Sequence, residues 1–364
     1  MNLRKRMAKM AGVGYATAVA ILVSLCTVAC DDHIAYEQEV EVGQGTVSLS
    51  IMPKTKASGL SHGVQSDDNY INTLEVFIFN NEGTAAGTLD VYKKFNSNEL
   101  TSLMGIKVQT VTGSKSIWVV ANSHKEDWTG VNTLEQFKEV VSSLEKENLK
   151  SFSMSGGAEA VVEGETAVDI EISRNVARVH LSGVRTDFAG TPYEGETLKN
   201  VKAYLINVVG DVVVSSGAAA EESRILNSEK LVQGDQESCA MGGMLYDNIA
   251  QEIGDDGYET SHYFYCYENM VEAEDGQNRF TKLVVQADLN GTTYYYPVSI
   301  NREGFGYTQS NGHAGVKRNT SYSMELIIKR PGASDPDSVL EYGAASVNVS
   351  VREWNIVPNI DVEF

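Results

Sequence analysis

The sequence is poor in proline, cysteine and basic residues, and these shortages narrow the choice of protein class. It has 6 prolines beside 32 glycines in 364 residues, which excludes collagen and proline-rich linkers. Its 4 cysteines include no C-x-x-C pair, so a cysteine metal site is not predicted. Lys and Arg number 29 against 49 Asp and Glu, a formal net charge of −20. A field of that sign repels phosphate backbones and argues against nucleic-acid binding.

Motifs for catalysis are also missing. None of the 6 histidines forms an H-x-x-x-H pair, and there is no G-x-S-x-G elbow, Walker loop or strand-following G-x-G-x-x-G. Acidic pairs such as Asp255-Asp256 fall in loop-like sequence and are typical of a solvated surface. The sequence therefore predicts a protein without catalysis, cofactor or metal.

The first residues have the pattern of an export signal. A basic start is followed by an apolar run over 11–25 that is too short for a comfortable membrane span. The run continues into Cys-Thr-Val-Ala-Cys and two aspartates, which resembles a bacterial lipobox although Thr27 stands where Leu is usual. We expect residues 1–29 to be removed and Cys30 to carry an acyl chain such as palmitate. This acyl chain would hold the protein on a membrane without spanning it. The alternative is ordinary cleavage after Ala29, which leaves Cys30 as a free thiol.

Two cysteines remain in the body of the chain, Cys239 and Cys266. An exported protein meets an oxidising compartment, which permits a bridge between them. Sequence does not show whether their Cβ atoms meet, so the pairing stays open.

The body of the chain has strand periodicity. Residues 45–53 alternate, with Val47, Leu49 and Ile51 on one face, and the continuous apolar run TLEVFIFN indicates a strand covered on both faces. A helix is predicted over 132–147 behind a capping box. Short alternating strands predict an all-β fold with minor helices, arranged as β-sandwiches.

A change of composition at 186–197 predicts the domain boundaries. We expect a tether over 30–45, an N-terminal sandwich over 46–186 and a C-terminal sandwich over 187–364.

The first strand is joined to the rest by a polar loop over 54–69. Lys54 and Lys56 are the only Lys or Arg residues between the leader and Lys93, so a trypsin-like protease could cut there and release a strand spanning 46–53. The alternative is that this strand is an ordinary part of a stable sandwich.

The last ten residues have a second apolar alternation, in which hydrophobic residues are separated by Asp361 and Glu363. The predicted donor positions are Ile356, Val357, Ile360, Val362 and Phe364. Such a segment either docks on its own domain or fills a groove on another molecule, because exposed apolar strands aggregate. Strand addition from one copy to the next is a heterologous contact and makes a filament.

Several motifs in order resemble the Bacteroidales fimbrillin family, with closing motifs nearer its Mfa-type members. They are the leader, LEVFIFN, SIWVVAN, FSMSG, RNVARVHL, YCYEN, KRNTSYSMELII and VREWN. The resemblance implies two transthyretin-like sandwiches and export as an outer-membrane lipoprotein. It also implies proteolytic loss of the first strand, polymerisation with other copies and with anchor and tip subunits, and adhesion to host or bacterial surfaces.

One departure from the family affects processing. No Arg lies between Arg6 and Arg174, so a cut would follow Lys54 or Lys56 and need a protease that accepts Lys. The alternatives are an uncut anchor or accessory subunit, or a monomeric surface lipoprotein that binds glycan or host protein through its tyrosine-rich strands. The triplet around Ser338 also resembles a bacterial O-glycosylation acceptor.

Overall fold

The regular structure in the described part of the chain is almost all β-strand, as the strand periodicity predicts. The computed structural model describes residues 43–53, 70–239, 244–276, 278–309, 312–340 and 343–354. The first ten elements are β1 (Gln44–Pro53), β2 (Thr73–Asn80), β3 (Leu89–Asn96), β4 (Met104–Val111), β5 (Gly113–Ala121), α1 (Leu134–Lys138), β6 (Val141–Ser143), β7 (Met154–Val162), β8 (Glu165–Arg174) and β9 (Val176–Thr186).

The remaining elements continue the β pattern, with one more short helix. They are β10 (Lys199–Ile206), β11 (Val208–Val209), β12 (Asp211–Val213), β13 (Ile225–Leu226), α2 (Gln233–Ser238), β14 (Tyr246–Asn248), β15 (Tyr258–Tyr267), β16 (Lys282–Leu289), β17 (Thr292–Ser299), β18 (Thr320–Ile328) and β19 (Ala345–Glu353). Two 3-10 turns lie at Gly83–Ala85 and Leu144–Lys146. The all-β prediction with minor helices is therefore confirmed.

Seven strands of the first half form one sheet, in the order β3-β2-β5-β7-β8-β1-β4. β7 and β8 are joined by only two residue pairs, Met154 with Arg174 and Ser155 with Ser173. The sheet therefore divides there into two arms. Their inner faces share one core, to which β1, β2, β4, β5 and β8 all contribute apolar side chains.

β2 is covered on both faces, as its unbroken apolar run predicts. Leu74, Val76 and Ile78 join the core between the two arms. Phe77 points the other way, with its ring centroid 4.7 Å from that of Trp128 and 4.9 Å from that of Phe137. The segment that carries α1 thus forms a second layer over this arm.

The helix predicted over 132–147 is wrong beyond its first turns. The capping box of Thr133 and Gln136 is present, but α1 ends at Lys138. Residues Val141–Ser143 instead pair with β12, and the Val214 N–H donates to Val140 O at 2.8 Å. Valines lose side-chain freedom in a helix, so this pairing outweighs the helical spacing of the apolar residues.

The second half contains two four-stranded sheets around one large core. Their orders are β14-β10-β16-β17 and β15-β9-β18-β19. β9 pairs antiparallel with β15 and parallel with β18, so residues 176–186 lie with the second half and not with the first. The described residues group into a single compact unit. Division into two domains stays a proposal, and the strand pairing moves the proposed boundary from 186 to Asn175.

Glu75 is a buried carboxylate on the aromatic face of β2. Its side chain is fully buried, and Lys94 Nζ lies 3.2 Å from its Oε1. Burial raises the pKa of Glu75 above its usual value of 4.5, and this effect exceeds the opposing influence of Lys94 and His124. The folded state therefore keeps the proton at pH values where the unfolded chain has released it. Stability contributed by this group falls as the pH rises through that window.

We expect Glu75→Gln to raise the free energy of unfolding relative to wild type at pH 7, and to leave it nearly unchanged near pH 4. Glutamine has the same shape and no charge to bury, and Lys94 stays partly in water. Denaturant unfolding at the two pH values measures the difference. Glu159→Gln, on the exposed face of β7, is the matched control. Equal effects of Glu75→Gln at both pH values would contradict the assignment.

Candidate functional site: the first strand and its groove

β1 lies inside the seven-stranded sheet, between β4 and β8. It pairs antiparallel with β4, where Val47 faces Val108, and parallel with β8, where Val47 faces Thr166. Both edges of the strand are therefore hydrogen-bonded. The surfaces of β4, β8 and the core that contact this strand form what we call the β1 groove.

The inner face of β1 is fully dry. Val47 and Leu49 have no exposed surface and Ile51 has 2%. Burial of side chains of this size contributes about 1.5–3 kcal/mol each, so the three together contribute roughly 5–9 kcal/mol before ordering costs. The predicted strand over 45–53 is confirmed, and these three residues are the ones that attach it.

The outer face of β1 is small, polar and partly covered by an ion pair. Ser48 and Ser50 are half-buried. Lys107 of β4 and Glu165 of β8 meet across the strand, with Nζ and Oε1 2.8 Å apart and both side chains about 60% exposed. A pair this exposed contributes at most about 1 kcal/mol.

The two ends of β1 are fixed by backbone contacts. At the start, the Thr46 N–H donates to Gly164 O at 2.7 Å, and a Cβ on Gly45 would lie 2.6 Å from Val162 Cγ1. Near the end, the Ile51 N–H donates to Leu103 O at 2.8 Å. A larger residue at position 45 would therefore have to displace the Val162 side chain.

A charged pair lies on β3 and β5, close to β4. The Lys115 side chain, 1% exposed, places its Nζ 2.9 Å from Asp90 Oδ2. Burial opposes ionisation of Asp90, but hydrogen bonds from Thr110, Lys115 and the Val111 N–H outweigh it and hold its pKa below the usual range. Asp90 therefore stays charged and ties β3 to β4 at the edge of the groove.

Most of the other predicted site residues lie outside the described ranges. These are Cys30 for lipidation, Lys54 and Lys56 for cleavage, and the donor positions Ile356, Val357, Ile360, Val362 and Phe364. Their roles stay predictions.

The predicted glycosylation triplet lies beside a charged cluster. Ser338 is half-buried, and Val339 next to it is 79% exposed. Asp337 accepts hydrogen bonds from Lys282 Nζ and from Asn207 Nδ2, both at 2.8 Å. The acid of the triplet is thus held in the fold, and modification of Ser338 stays a prediction.

Both cysteines of the body are free thiols. Cys239 and Cys266 are buried, and burial raises the pKa of each thiol to about 12. They pack in the large core as apolar side chains.

The tyrosine-rich strands offer little exposed aromatic surface. Tyr265, Tyr267 and Tyr296 are at most 2% exposed. Tyr263, Tyr294 and Tyr295 are only half-buried, but Tyr263 stacks on His180 with ring centroids 4.4 Å apart. These side chains serve mainly the core and its margins, which weakens the prediction of a tyrosine-based binding face.

A cluster around Trp354 was missed by sequence reasoning. Trp354 is 3% exposed, and the Arg174 guanidinium lies 4.1 Å from its ring centroid. Arg178 lies over the same ring at 4.8 Å, and Tyr265 stacks on it at 5.7 Å. Arg174 Nη1 also donates to Trp354 O at 3.3 Å. The end of β8 is thereby joined to the residue that precedes the predicted donor segment.

Arg318 strengthens the same joint from the second half. Its Nη1 donates to Asn175 Oδ1 at 2.9 Å and to Ser155 Oγ at 3.2 Å. Asn175 in turn donates from Nδ2 to Ser153 Oγ at 3.1 Å. Buried, charge-assisted contacts of this kind hold β7, β8 and the start of β18 in one arrangement.

The described ranges contain neither a cluster of metal-binding side chains nor a helix that could span a membrane. No group of three or more His, Cys, Asp or Glu side chains in them could hold a metal ion. No helix in them is long and apolar enough to cross a bilayer.

Comparison with known proteins finds fimbrial subunits. A family profile described as "Major fimbrial subunit protein (FimA)" matches residues 45–196. The chain is 22% identical to the major fimbrium subunit FimC of Porphyromonas gingivalis, over 94% of this chain and 70% of that protein. It is also 22% identical to the major fimbrium subunit FimA type-2 of the same organism, over 92% and 96% of the two chains.

The fold agrees with these matches. A solved structure of a fimbrilin (FimA) from Porphyromonas gingivalis W83 superposes with a TM-score of 0.60 at 19% identity, covering 86% of this chain and 99% of that one. The resemblance to the Bacteroidales fimbrillins is therefore confirmed: the proteins that this chain resembles are fimbrial structural subunits, a family that does not consist of enzymes.

Proposed function

We propose that this fimbrial subunit polymerises by exchanging β1 for the segment 356–364 of a second copy. Export as a lipoprotein through Cys30 and a cut after Lys54 or Lys56 precede the exchange. Anchor and tip subunits would complete the fimbria at the outer membrane, and its function would be adhesion to host or bacterial surfaces.

The position of β1 carries this proposal. The strand is internal to the sheet and dry on one face, yet the chain enters it at the start of the fold and leaves it through the polar stretch 54–69. A cut in that stretch leaves β1 held by non-covalent contacts alone. Its departure would open two unpaired strand edges beside an apolar slot, and an extended segment can satisfy both.

The donor segment matches what the slot requires. Ile360, Val362 and Phe364 alternate as Val47, Leu49 and Ile51 do, so three apolar side chains can point inward while the backbone completes both ladders. A copy that accepts a segment in its groove and donates its own to the next copy forms an open filament.

Processing is tested by the double variant Lys54→Ala/Lys56→Ala. We expect it to remain uncut, to stay with the membrane and to be missing from sheared filaments, whereas wild-type filaments begin at Thr55 or Ala57 on N-terminal sequencing. Lys93→Ala, an exposed lysine of β3, is the matched control and should enter filaments normally. If filaments contained the double variant with its lysine-free loop uncut, the proposed cleavage step would be wrong.

The second candidate is an uncut anchor or accessory subunit, favoured by the lack of arginine between Arg6 and Arg174. Wild-type protein found only in membranes, with a blocked, lipid-bearing Cys30, would support it. Deletion of residues 355–364 separates both from a monomeric binder, because a binder would keep its ligand and a filament subunit would cease to polymerise.

A further inference from the structure

The outer faces of β4 and β8 carry very unequal charge along the β1 groove. On β8 the exposed positions include Glu165, Asp169 and Glu171. On β4 the exposed positions are Met104, Gly105, Lys107 and Gln109, so Lys107 is the one cation among them. An acidic side chain on a strand between β4 and β8 is therefore attracted beside Lys107 and repelled beside the acids of β8.

The register of β1 fixes where those places are. Ser48 lies opposite Lys107 on one side and Ala167 on the other. Two residues further on, Ser50 lies opposite Asp169, and Met52 lies opposite Glu171. The outward side chains of β1 are all neutral, so none of them is attracted or repelled by the charges on β4 and β8. In the free subunit Lys107 pairs with Glu165 instead.

The donor segment is not neutral. If Ile360, Val362 and Phe364 point inward, Asp361 and Glu363 point outward, because side chains alternate along a strand. An acid at the position of Ser48 would face Lys107, and an acid at the position of Ser50 or Met52 would face a like charge. Opposite charges across a sheet stabilise it and like charges directly opposite destabilise it.

We propose that Lys107 is the receptor for an acidic side chain, Asp361 or Glu363, of the strand donated by a second copy of this chain. On assembly Lys107 leaves Glu165 and pairs with the incoming carboxylate at the position of Ser48. The acids of β8 penalise registers that place both donor acids further along the groove. This inference rests on the proposed strand exchange and adds to it the feature that selects the register.

Charge reversal in the full chain tests the pairing, because each subunit supplies both a groove and a donor segment. The single variants are Lys107→Glu, Asp361→Lys and Glu363→Lys. The double variants join Lys107→Glu to each of the two donor reversals. Lys150→Glu, at an exposed lysine in the turn before β7, is the matched control. Lys107 is 62% exposed, so its reversal leaves the core intact, and circular dichroism checks that each variant folds.

We expect Lys107→Glu to slow filament formation about tenfold at low salt, since one attraction is replaced by one repulsion, and Lys150→Glu to change it less than twofold. One of the two double variants should return to within about twofold of wild type. The effect should shrink as salt is raised. Equal behaviour of Lys107→Glu and Lys150→Glu, or failure of both double variants, would overturn the inference.

The deletion of residues 355–364 separates this result from the fate of the proposed function. If the deleted protein polymerises as well as wild type, strand exchange through this segment is wrong. If the deletion stops assembly while the charge reversals have no effect, the exchange stands and only the role of Lys107 fails.

Discussion

Trp354→Ala is expected to lower the free energy of unfolding by about 3–5 kcal/mol. The indole is 3% exposed and lies between Phe152, Tyr265 and two guanidinium groups. Its removal leaves a cavity at the joint between the two sets of sheets. It also takes away the ring on which the fully buried Arg174 stacks at 4.1 Å. The loss of this cation–π contact adds to the lost packing.

The loss should reach beyond stability, because Trp354 lies two residues before the predicted donor segment. The ring and its backbone carbonyl fix where the chain leaves β19 relative to the end of β8. Without the indole that exit point is held by backbone contacts alone. We therefore expect the variant to form fewer filaments than wild type at a temperature where the monomer is still folded.

Two control variants define the effect. Trp354→Phe keeps an aromatic ring and should cost about 1–2 kcal/mol less than Trp354→Ala. Val339→Ala, at a residue that is 79% exposed, should change the unfolding free energy by less than about 0.5 kcal/mol. Urea denaturation of the three variants measures these differences. A value for Trp354→Ala within about 1 kcal/mol of wild type would show that the cluster does not hold the joint.

Sequence periodicity predicts the strands of this protein well, because the pattern of apolar residues within a strand indicates which of its faces are buried. Val47, Leu49 and Ile51 alternate with polar residues and prove to be buried on one face, and the unbroken run of β2 proves to be covered on both. The capping box at Thr133 likewise specifies the start of α1 within a few residues. Such features are local, so a single sequence contains them.

Features that depend on distant residues are not visible in the same way. The helical spacing over 132–147 gives way after Lys138 because Val141–Ser143 finds a strand partner far along the chain, in Asp211–Val213. The joint between Arg174 and Trp354 spans 180 residues, and each residue alone is an ordinary buried side chain. No pattern along the chain marks either contact.

The domain boundary shows the same limit. Gly, Pro and Thr over 186–197 mark a real loop, but that loop follows β9, which already pairs with strands of the second half. The change of sheet occurs at Asn175, inside a nearly continuous extended run from Glu165 to Thr186. Composition indicates turns, whereas the chain passes from the first sheet to the second at Asn175 without a turn.

Leu49→Ala is expected to lower the free energy of unfolding of the uncut protein by about 3–5 kcal/mol. Leu49 has no exposed surface and faces Ile106 of β4 and Val168 of β8, so the truncated side chain leaves a cavity in the middle of the shared core. Ser48→Ala, on the half-buried outer face of the same strand, is the matched control and should cost less than about 1 kcal/mol.

The same variant should have the opposite effect on assembly. In a cut subunit β1 must leave before the donor segment enters, and a strand that has lost its central apolar contact leaves more readily. We therefore expect Leu49→Ala to polymerise faster after cleavage than wild type, while Ser48→Ala polymerises at the wild-type rate.

Filaments provide the decisive comparison, because a subunit that has exchanged β1 no longer contains residue 49. Filaments grown from Leu49→Ala protein should dissociate at the same temperature and denaturant concentration as wild-type filaments. Strand replacement requires that the substitution lowers the stability of the precursor and leaves the stability of the filament unchanged. If the filaments are weakened as much as the precursor, β1 has stayed in its groove, and the subunits are joined by a surface other than the one that β1 covers.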